Sequence, residues 1–356
     1  MRLTEYTPDA FDHLRRAAER LRVPGLCHRP FVDYYYAGNP WCRLHLLEEQ
    51  GAVAGIIGLD RMRFAAGGRH VEVAFATNYH AARPGAGGYL YLHWLKTSPL
   101  GIVFGGSADT HKILRDQRWR YFGGVKTFVL GRAVQARPWE PVWRRLAKRV
   151  LAGLRRLRGR SLARRLPGEA AGVAVHEVTA FTEDMLPRAS PFAFRFDPPL
   201  DYLRWRYHPG LSFVRYRIFR ICAAGRACGY VVLNDAPARV LVAQCDGEEP
   251  ATLAYGVLRA VVHVAAEVPG PREVQLTSCH PVMQAIFKRF GFRALRAERP
   301  LAFGSRRGPV DLPAETSRWL INLDWGDNGL RAPFLDQPEP AAPGRPARSR
   351  SGHGQL

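Results

Sequence analysis

His70–Phe122 reads HVEVAFATNYHAARPGAGGYLYLHWLKTSPLGIVFGGSADTHKILRDQRWRYF, and its pattern decides the fold. Val71, Val73 and Phe75 alternate with Glu72, Ala74 and Ala76, the period-2 signature of a strand. Arg83-Pro84-Gly85-Ala86-Gly87-Gly88 follows, a turn whose glycines can expose backbone N–H groups with no Cβ in the way. A helix is predicted from Tyr89 to Lys96, then a short apolar strand from Gly101 to Gly105, then a second helix from Asp109 to Trp119. The first N–H groups of a helix lack internal partners and carry partial positive charge, so a glycine-rich entry to one can cradle a phosphate.

This order of elements resembles the cofactor-binding half of the GNAT acyltransferase superfamily, in which an Arg/Gln-x-x-Gly-x-Gly/Ala turn holds the pyrophosphate of acetyl-CoA or another acyl-CoA. Arg83 fills the first place of that motif and Gly88 the last. Ala86 stands where the middle glycine usually is, between Gly85 and Gly87. The resemblance implies a mixed α/β fold and a cofactor site formed by Phe75, Ala76, Thr77, Arg83, Pro84, Gly85, Ala86, Gly87, Gly88, Tyr89 and Ser107.

The whole chain has 356 residues, a length that favours two domains. Its formal net charge of +21 suits an anionic partner. Arginine greatly outnumbers lysine, and alanine, glycine and proline are abundant, as a GC-rich bacterial genome would produce without any partner. No apolar run approaches the roughly 18 residues of a membrane span. The start, MRLTEYTPDAFDHLRRAAERL, has no apolar core of a secretory signal, so the cytoplasm is the expected compartment. Six cysteines are scattered without metal-ligand spacing, which argues for free thiols and no metal.

The pattern occurs twice. YYYAGNPWCRLHLLEEQGAVAGIIGL (Tyr34–Leu59) and WRYHPGLSFVRYRIFRICAAGRACGYVVL (Trp205–Leu233) both run from tyrosine through a proline turn, a strand and a glycine turn into an apolar strand. Val240–Asp246, Thr252–Ala266, Glu273–Cys279 and Pro281–Phe290 then repeat strand, helix, strand and helix. The sequence therefore divides into a first GNAT-like unit over 1–135, closed by a strand at Gly124–Ala133; a basic linker over 136–172; a second GNAT-like unit over 173–306; and a docking segment with a tail over 307–356. In the second unit Asp246-Gly247-Glu248-Glu249-Pro250 replaces the glycine turn, so acidic side chains stand where pyrophosphate would. The linker carries an amphipathic pattern from Trp143 to Leu157. Its arginines can lie against an anionic membrane surface, each contributing about 1 kcal/mol, or simply face water.

The chemistry implied by the resemblance is transfer of an acyl group from acyl-CoA to an amine, with a sugar or a cell-envelope precursor as candidate acceptors. Such transfer needs a base for the ammonium proton and a polarised carbonyl. The family places the carbonyl against Phe75, Ala76 and Thr77. Glu72, His80 and His111 are the catalytic candidates. The tyrosine that many members carry on the last helix is missing: the comparable places are Leu114 and Phe287, with Tyr121 just beyond the helix. Two other readings stay open. Duplicated members of the fold use aminoacyl-tRNA, the one nucleic-acid partner expected here, and a duplicated domain can bind a partner without catalysis.

Overall fold

The computed structural model describes residues 1–131, 141–143, 147, 166–237, 239–267, 272–306, 308 and 310–325. Most of the basic segment Trp143–Leu157 and the tail beyond 325 lie outside the described residues. The first half builds β1 (Arg2–Glu5), α1 (Phe11–Leu21), α2 (Arg29–Tyr36), β2 (Cys42–Glu49), β3 (Ala52–Ala66), β4 (Arg69–Ala81), α3 (Pro84–Thr97), β5 (Gly101–Phe104), α4 (Ala108–Asp116), β6 (Arg120–Phe122) and β7 (Lys126–Leu130). The second half builds β8 (Val173–Val178), β9 (Phe194–Phe196), α5 (Leu200–Arg206), β10 (Tyr216–Ala223), β11 (Arg226–Asp235), β12 (Arg239–Gly247), α6 (Pro250–Glu267), β13 (Glu273–Ser278), α7 (Pro281–Phe290), β14 (Arg293–Ala294), β15 (Leu301–Gly304) and β16 (Trp319–Leu320). No helix among the described residues is long and apolar enough to cross a membrane.

Two mixed sheets result. One runs β1-β2-β3-β4-β5-β15-β6, and the other runs β14-β7-β13-β12-β11-β10-β8. The halves exchange strands. β15 pairs antiparallel with both β5 and β6 of the first sheet, Leu301 lying opposite Phe104 and Phe122. β7 pairs with β13 and β14 of the second, Phe128 lying opposite Leu276 and Ala294. The strand expected to close the first unit instead joins the second sheet between β13 and β14, and the sequence boundary near 135 is not the boundary between sheets. The reason is geometric. Gly124 has φ +83 and turns the chain out of β6, and β7 presents Phe128 to the core under α6 and α7.

One face of the first sheet packs Ile57, Leu59 and Ala74 beneath Leu90, Tyr91 and Trp94 of α3 and Leu114 of α4. The opposite face is shared with the second half. Leu44 and Leu46 join Phe31, Val32 and Tyr36 of α2 in a cluster with Tyr207, Tyr216, Ile218 and Val232. Phe64 stacks on Phe194 at 4.9 Å between ring centroids, and Trp325 stands edge-on to Phe64 at 4.8 Å. Behind them, Arg206 is only 1% exposed. Its Nε and Nη2 donate to the two carboxylate oxygens of Asp324, at 3.1 and 3.2 Å, and Nη1 reaches Asp60 of β3 at 3.4 Å. Cys42 donates its thiol proton to the other oxygen of Asp60 at 3.0 Å. Burial pushes the Asp60 carboxyl up against the pull of the Arg206 charge.

Two outcomes follow. Fragments 1–140 and 141–356 each lack a strand of their own sheet, so expressed separately they remain unfolded, whereas co-expressed they purify as one complex; a fragment with native circular dichroism alone would contradict the exchange. Arg206→Met leaves two buried carboxylates without their cation and lowers stability by about 3–5 kcal/mol in urea denaturation.

Candidate active site

β4 follows β3 along its length but meets β5 only at Ala74 opposite Gly101 and Phe75 opposite Ile102. β4 then runs on to Ala81, and the two parallel strands part. A register shift opposite Ile56–Gly58 accompanies the parting, with Asn78 in the left-handed region at φ +48. α3 rises from the end of β4. It begins at Pro84 rather than at Tyr89, so Gly85, Gly87 and Gly88 form its first turn instead of a turn before it. Proline at the first helical position has its φ already set for a helix.

That first turn has no side-chain cap. Pro84 has no N–H, Gly87 donates to Arg83 O at 3.2 Å, and the N–H groups of Gly85 and Ala86 have no partner among the described residues. None of the three glycines has a positive φ. A Cβ at Gly88 would meet nothing within 4 Å, and one at Gly87 would make only ordinary contacts with Tyr79 and Ala81. The fold itself thus has no steric need for glycine there, although each glycine costs a helix about 0.5–1 kcal/mol relative to alanine. Tyr79 fastens this end to β4 by donating its hydroxyl to Gly87 O at 2.7 Å; burial pushes that phenol up to about 12, so it stays protonated. The Arg83 guanidinium curls over the same end, where a Cβ on Gly85 would lie 3.1 Å from Nη1. It is paired with Glu49 of β2, with Nε donating at 3.1 Å, and the pairing holds the Glu49 carboxyl below its ordinary range.

On the β5 side, Gly105 and Gly106 turn the chain at φ +89 and +107 into α4. Ser107 caps α4, accepting from the Thr110 N–H at 3.1 Å. His111 is buried, and Tyr121 of β6 lies 2.9 Å from its Nδ1 and donates to its backbone O at 3.3 Å. A phenol has one proton. If that proton goes to the carbonyl, Nδ1 must carry its own, and Nε2 keeps a free lone pair. Nε2 is buried without a partner, and a Cβ on Gly106 would sit 3.4 Å from it. Burial pushes the Tyr121 phenol up, keeping it in the donating form. Leu114, one turn further along α4, is core.

The remaining expected residues are dispersed. Phe75 is buried in the aromatic core, and Ala76 packs towards α3. Thr77 is buried with its Oγ1 3.1 Å from the hydroxyl of Tyr36, which also accepts from Asn78 Nδ2 at 2.7 Å. A Cβ at Gly58 would lie 2.2 Å from Thr77 Oγ1, so glycine there is what admits the pair. Tyr36 and Asn78 were not singled out by the sequence pattern; three consecutive tyrosines ahead of a turn were the available signal. His80 is half-buried opposite Ile56, whose side chain belongs to the face shared with α1 and α2. It is therefore on the other side of the sheet from α4 and His111. Glu72 is exposed opposite Arg63, five residues or about 17 Å before Thr77 along the strand. The structure does not bring Glu72 together with the two histidines.

The second copy offers an internal comparison. Leu241 is its last β12 residue paired with β13, and α6 begins nine positions later at Pro250, the same spacing as Phe75 to Pro84. Glu249 thus corresponds to Arg83. Its carboxylate accepts the N–H groups of Ala251 at 2.9 Å and Thr252 at 2.5 Å, filling the helix end that the first copy leaves open. Glu248 is paired with Arg226, and Asp246 with Arg195 at 2.5 Å. Elsewhere Glu177, His263 and Glu267 approach one another on the surface, and Arg217 pairs with both carboxylates there.

No protein-family model and no curated protein matches the sequence. Solved structures do match. A GCN5-related N-acetyltransferase from Anabaena variabilis superposes with a TM-score of 0.54 at 12% identity, over 85% of this chain and 72% of that one. A probable N-acyltransferase from Enterococcus faecalis gives 0.51 at 8% identity over 85% and 71%. The Saccharomyces cerevisiae N-myristoyltransferase, solved with bound myristoyl-CoA and inhibitors, gives 0.50 at 8% identity over 85% and 79%. The chain is thus similar in fold to the GCN5-related N-acetyltransferases, and its two sheets carry that fold as a tandem.

The His111 geometry has a direct spectroscopic check. Long-range proton–nitrogen NMR is expected to show Nδ1 protonated and Nε2 bare, and Tyr121→Phe is expected to shift the population towards the Nε2–H form; an Nε2–H signal in the parent protein would refute the assignment.

Proposed function

We propose that the first copy binds an acyl-CoA and transfers its acyl group to an amine, while the second copy supports it. The observation that carries this reading is the contrast at the two helix ends: Arg83 and two unpartnered N–H groups in one, the Glu249 carboxylate in the other. In this reading the diphosphate lies on the Gly85 and Ala86 N–H groups with Arg83 beside it, over Gly87, Gly88 and Tyr89, and the linear arm enters between β4 and β5. Helix ends of this kind favour doubly charged phosphates.

The amine nitrogen attacks the thioester carbonyl carbon, the C–S bond breaks, and the nitrogen loses a proton. His111 is the group on hand to take that proton, since Nε2 is unpartnered on the β5 side of the parting. The imidazolium so formed can return it to the departing thiolate, which removes the need for a tyrosine at Leu114. With its own proton on the His111 carbonyl, Tyr121 would hold the ring in the accepting tautomer, and Ser107 caps the helix that carries it. The backbone of Phe75–Thr77 lines the side where the carbonyl would lie. His80, on the other face, is a candidate for the acceptor side. A sugar or envelope-precursor amine is the proposed acceptor class, approached from the cytoplasm or an inner membrane face. The exposed Val142 and Trp143 begin the basic segment that would meet such a surface.

Calorimetric titration with acetyl-CoA tests the reading. The parent is expected to bind with micromolar Kd. Gly87→Asp puts a carboxylate where the phosphates would be and is expected to abolish binding while the protein stays folded, because an acidic residue suits a first turn. Gly88→Ala is expected to raise stability by about 0.5–1 kcal/mol and to weaken binding. Equal affinity in all three proteins would remove the site from the α3 end. Binding of aminoacyl-tRNA or anionic vesicles, with no acyl-CoA affinity, would favour the two rival readings.

A further inference from the structure

The parting of β12 and β13 in the second copy is not open. β12 pairs with β13 only over Arg239–Leu241 and then runs six residues further, as β4 does beyond Phe75. The segment Trp319–Trp325 starts as β16, paired with β9 of the first sheet, and passes this gap with bonds to both lips. On the β12 side, the Asp324 N–H donates to Ala243 O at 3.0 Å. The Asn322 carboxamide closes a two-way bond with one residue: Cys245 N–H donates to Oδ1 and Nδ2 donates to Cys245 O, each at 3.1 Å. On the β13 side, Thr277 Oγ1 donates to Ile321 O and Cys279 Sγ to Trp319 O, both at 3.1 Å. The side chains of Trp319 and Trp325 are fully buried, and Asp324 ends on Arg206.

We infer that the second copy's cleft is a binding cleft whose permanent ligand is the chain's own segment 319–325. On the proposed function of the first copy, the Asn322 carboxamide occupies the place in the second copy that corresponds to the first copy's cleft beside Tyr79. Nine-residue spacing places Ala243 and Cys245 at the positions of Thr77 and Tyr79, and among the described residues no segment crosses the first copy's cleft there. Two features thus close the second copy: Glu249 takes its anion end and the segment takes its arm. The protein accordingly has room for one acyl-CoA per chain. That count rests on the proposed function of the first copy, whereas the seating of the segment does not.

Hydrogen–deuterium exchange on the full-length protein tests the seating. The amides of Cys245 and Asp324 are expected to be protected, and Asn322→Ala is expected to accelerate exchange across 242–247 at least tenfold while β4 peptides are unchanged. Asn322→Asp, which keeps the acceptor and loses the donor, serves if the alanine variant does not fold, with the same expectation. Equal exchange in parent and variant overturns the inference. Acetyl-CoA titration counts the sites. One site, lost in Gly87→Asp, agrees with the inference; a site surviving in Gly87→Asp overturns it. No binding in any protein removes the proposed function and leaves the exchange result to decide the segment.

Discussion

Between β5 and β6 the first sheet has a gap one strand wide, and between β13 and β14 the second sheet has another. Each gap is filled by a strand from the opposite half, and β9 of the second half adds a further ladder on β3, so the halves are joined through their sheets. An unfilled gap would leave unpaired N–H and C=O groups in the middle of a sheet, at a cost of roughly 1–3 kcal/mol for each buried group. Exchange converts two incomplete sheets into one body. The shared face then accommodates charge. Arg206 sits between Asp324 and Asp60 in a place closed by aromatic rings from both halves.

The duplicated architecture has been used asymmetrically. At equivalent places the first copy has a cation over an open helix end and the second has a carboxylate bonded into it. The clefts differ in the same sense. A single substitution type, basic against acidic at one helix cap, separates the two helix ends. The second copy keeps its fold while the chain's own segment 319–325 bonds to β12 and β13.

Much of this could be read from the residues alone. Alternation from Val71 to Ala76 marked β4, and the paired proline and glycine turns marked the duplication. The acidic turn at Asp246–Glu249 marks a place where the two copies differ in charge, and its Glu249 caps α6. The strand exchange could not be read, because Lys126–Leu130 and Leu301–Gly304 are apolar runs that suit either sheet, and strand partners are chosen by tertiary packing. The helix start was displaced because three glycines read as a turn by propensity, while Pro84 and the Tyr79 hydroxyl fix them as helix. Of the candidate site, the α3 end and His111 were legible as residue types. The partnership of His111 with Tyr121 was not, since it spans a helix and a strand and leaves no periodic trace. Glu72 was attractive as a carboxylate on the right strand, but its position along that strand is wrong for contact with the others.

The exchanged β15 also bears on how the protein is made. Synthesis proceeds from the first half, and β5 and β6 emerge long before Leu301–Gly304 leave the ribosome. Throughout that interval the first half cannot complete its sheet, and the β5 and β6 segments lack their β15 partner, with the apolar residues Ile102 and Phe122 uncovered. Such segments pair readily with other chains, and long-range pairings of this kind form late. Translation speed through the second half, and the presence of a chaperone to shield the waiting segments, therefore become determinants of yield, quite apart from the stability of the finished molecule.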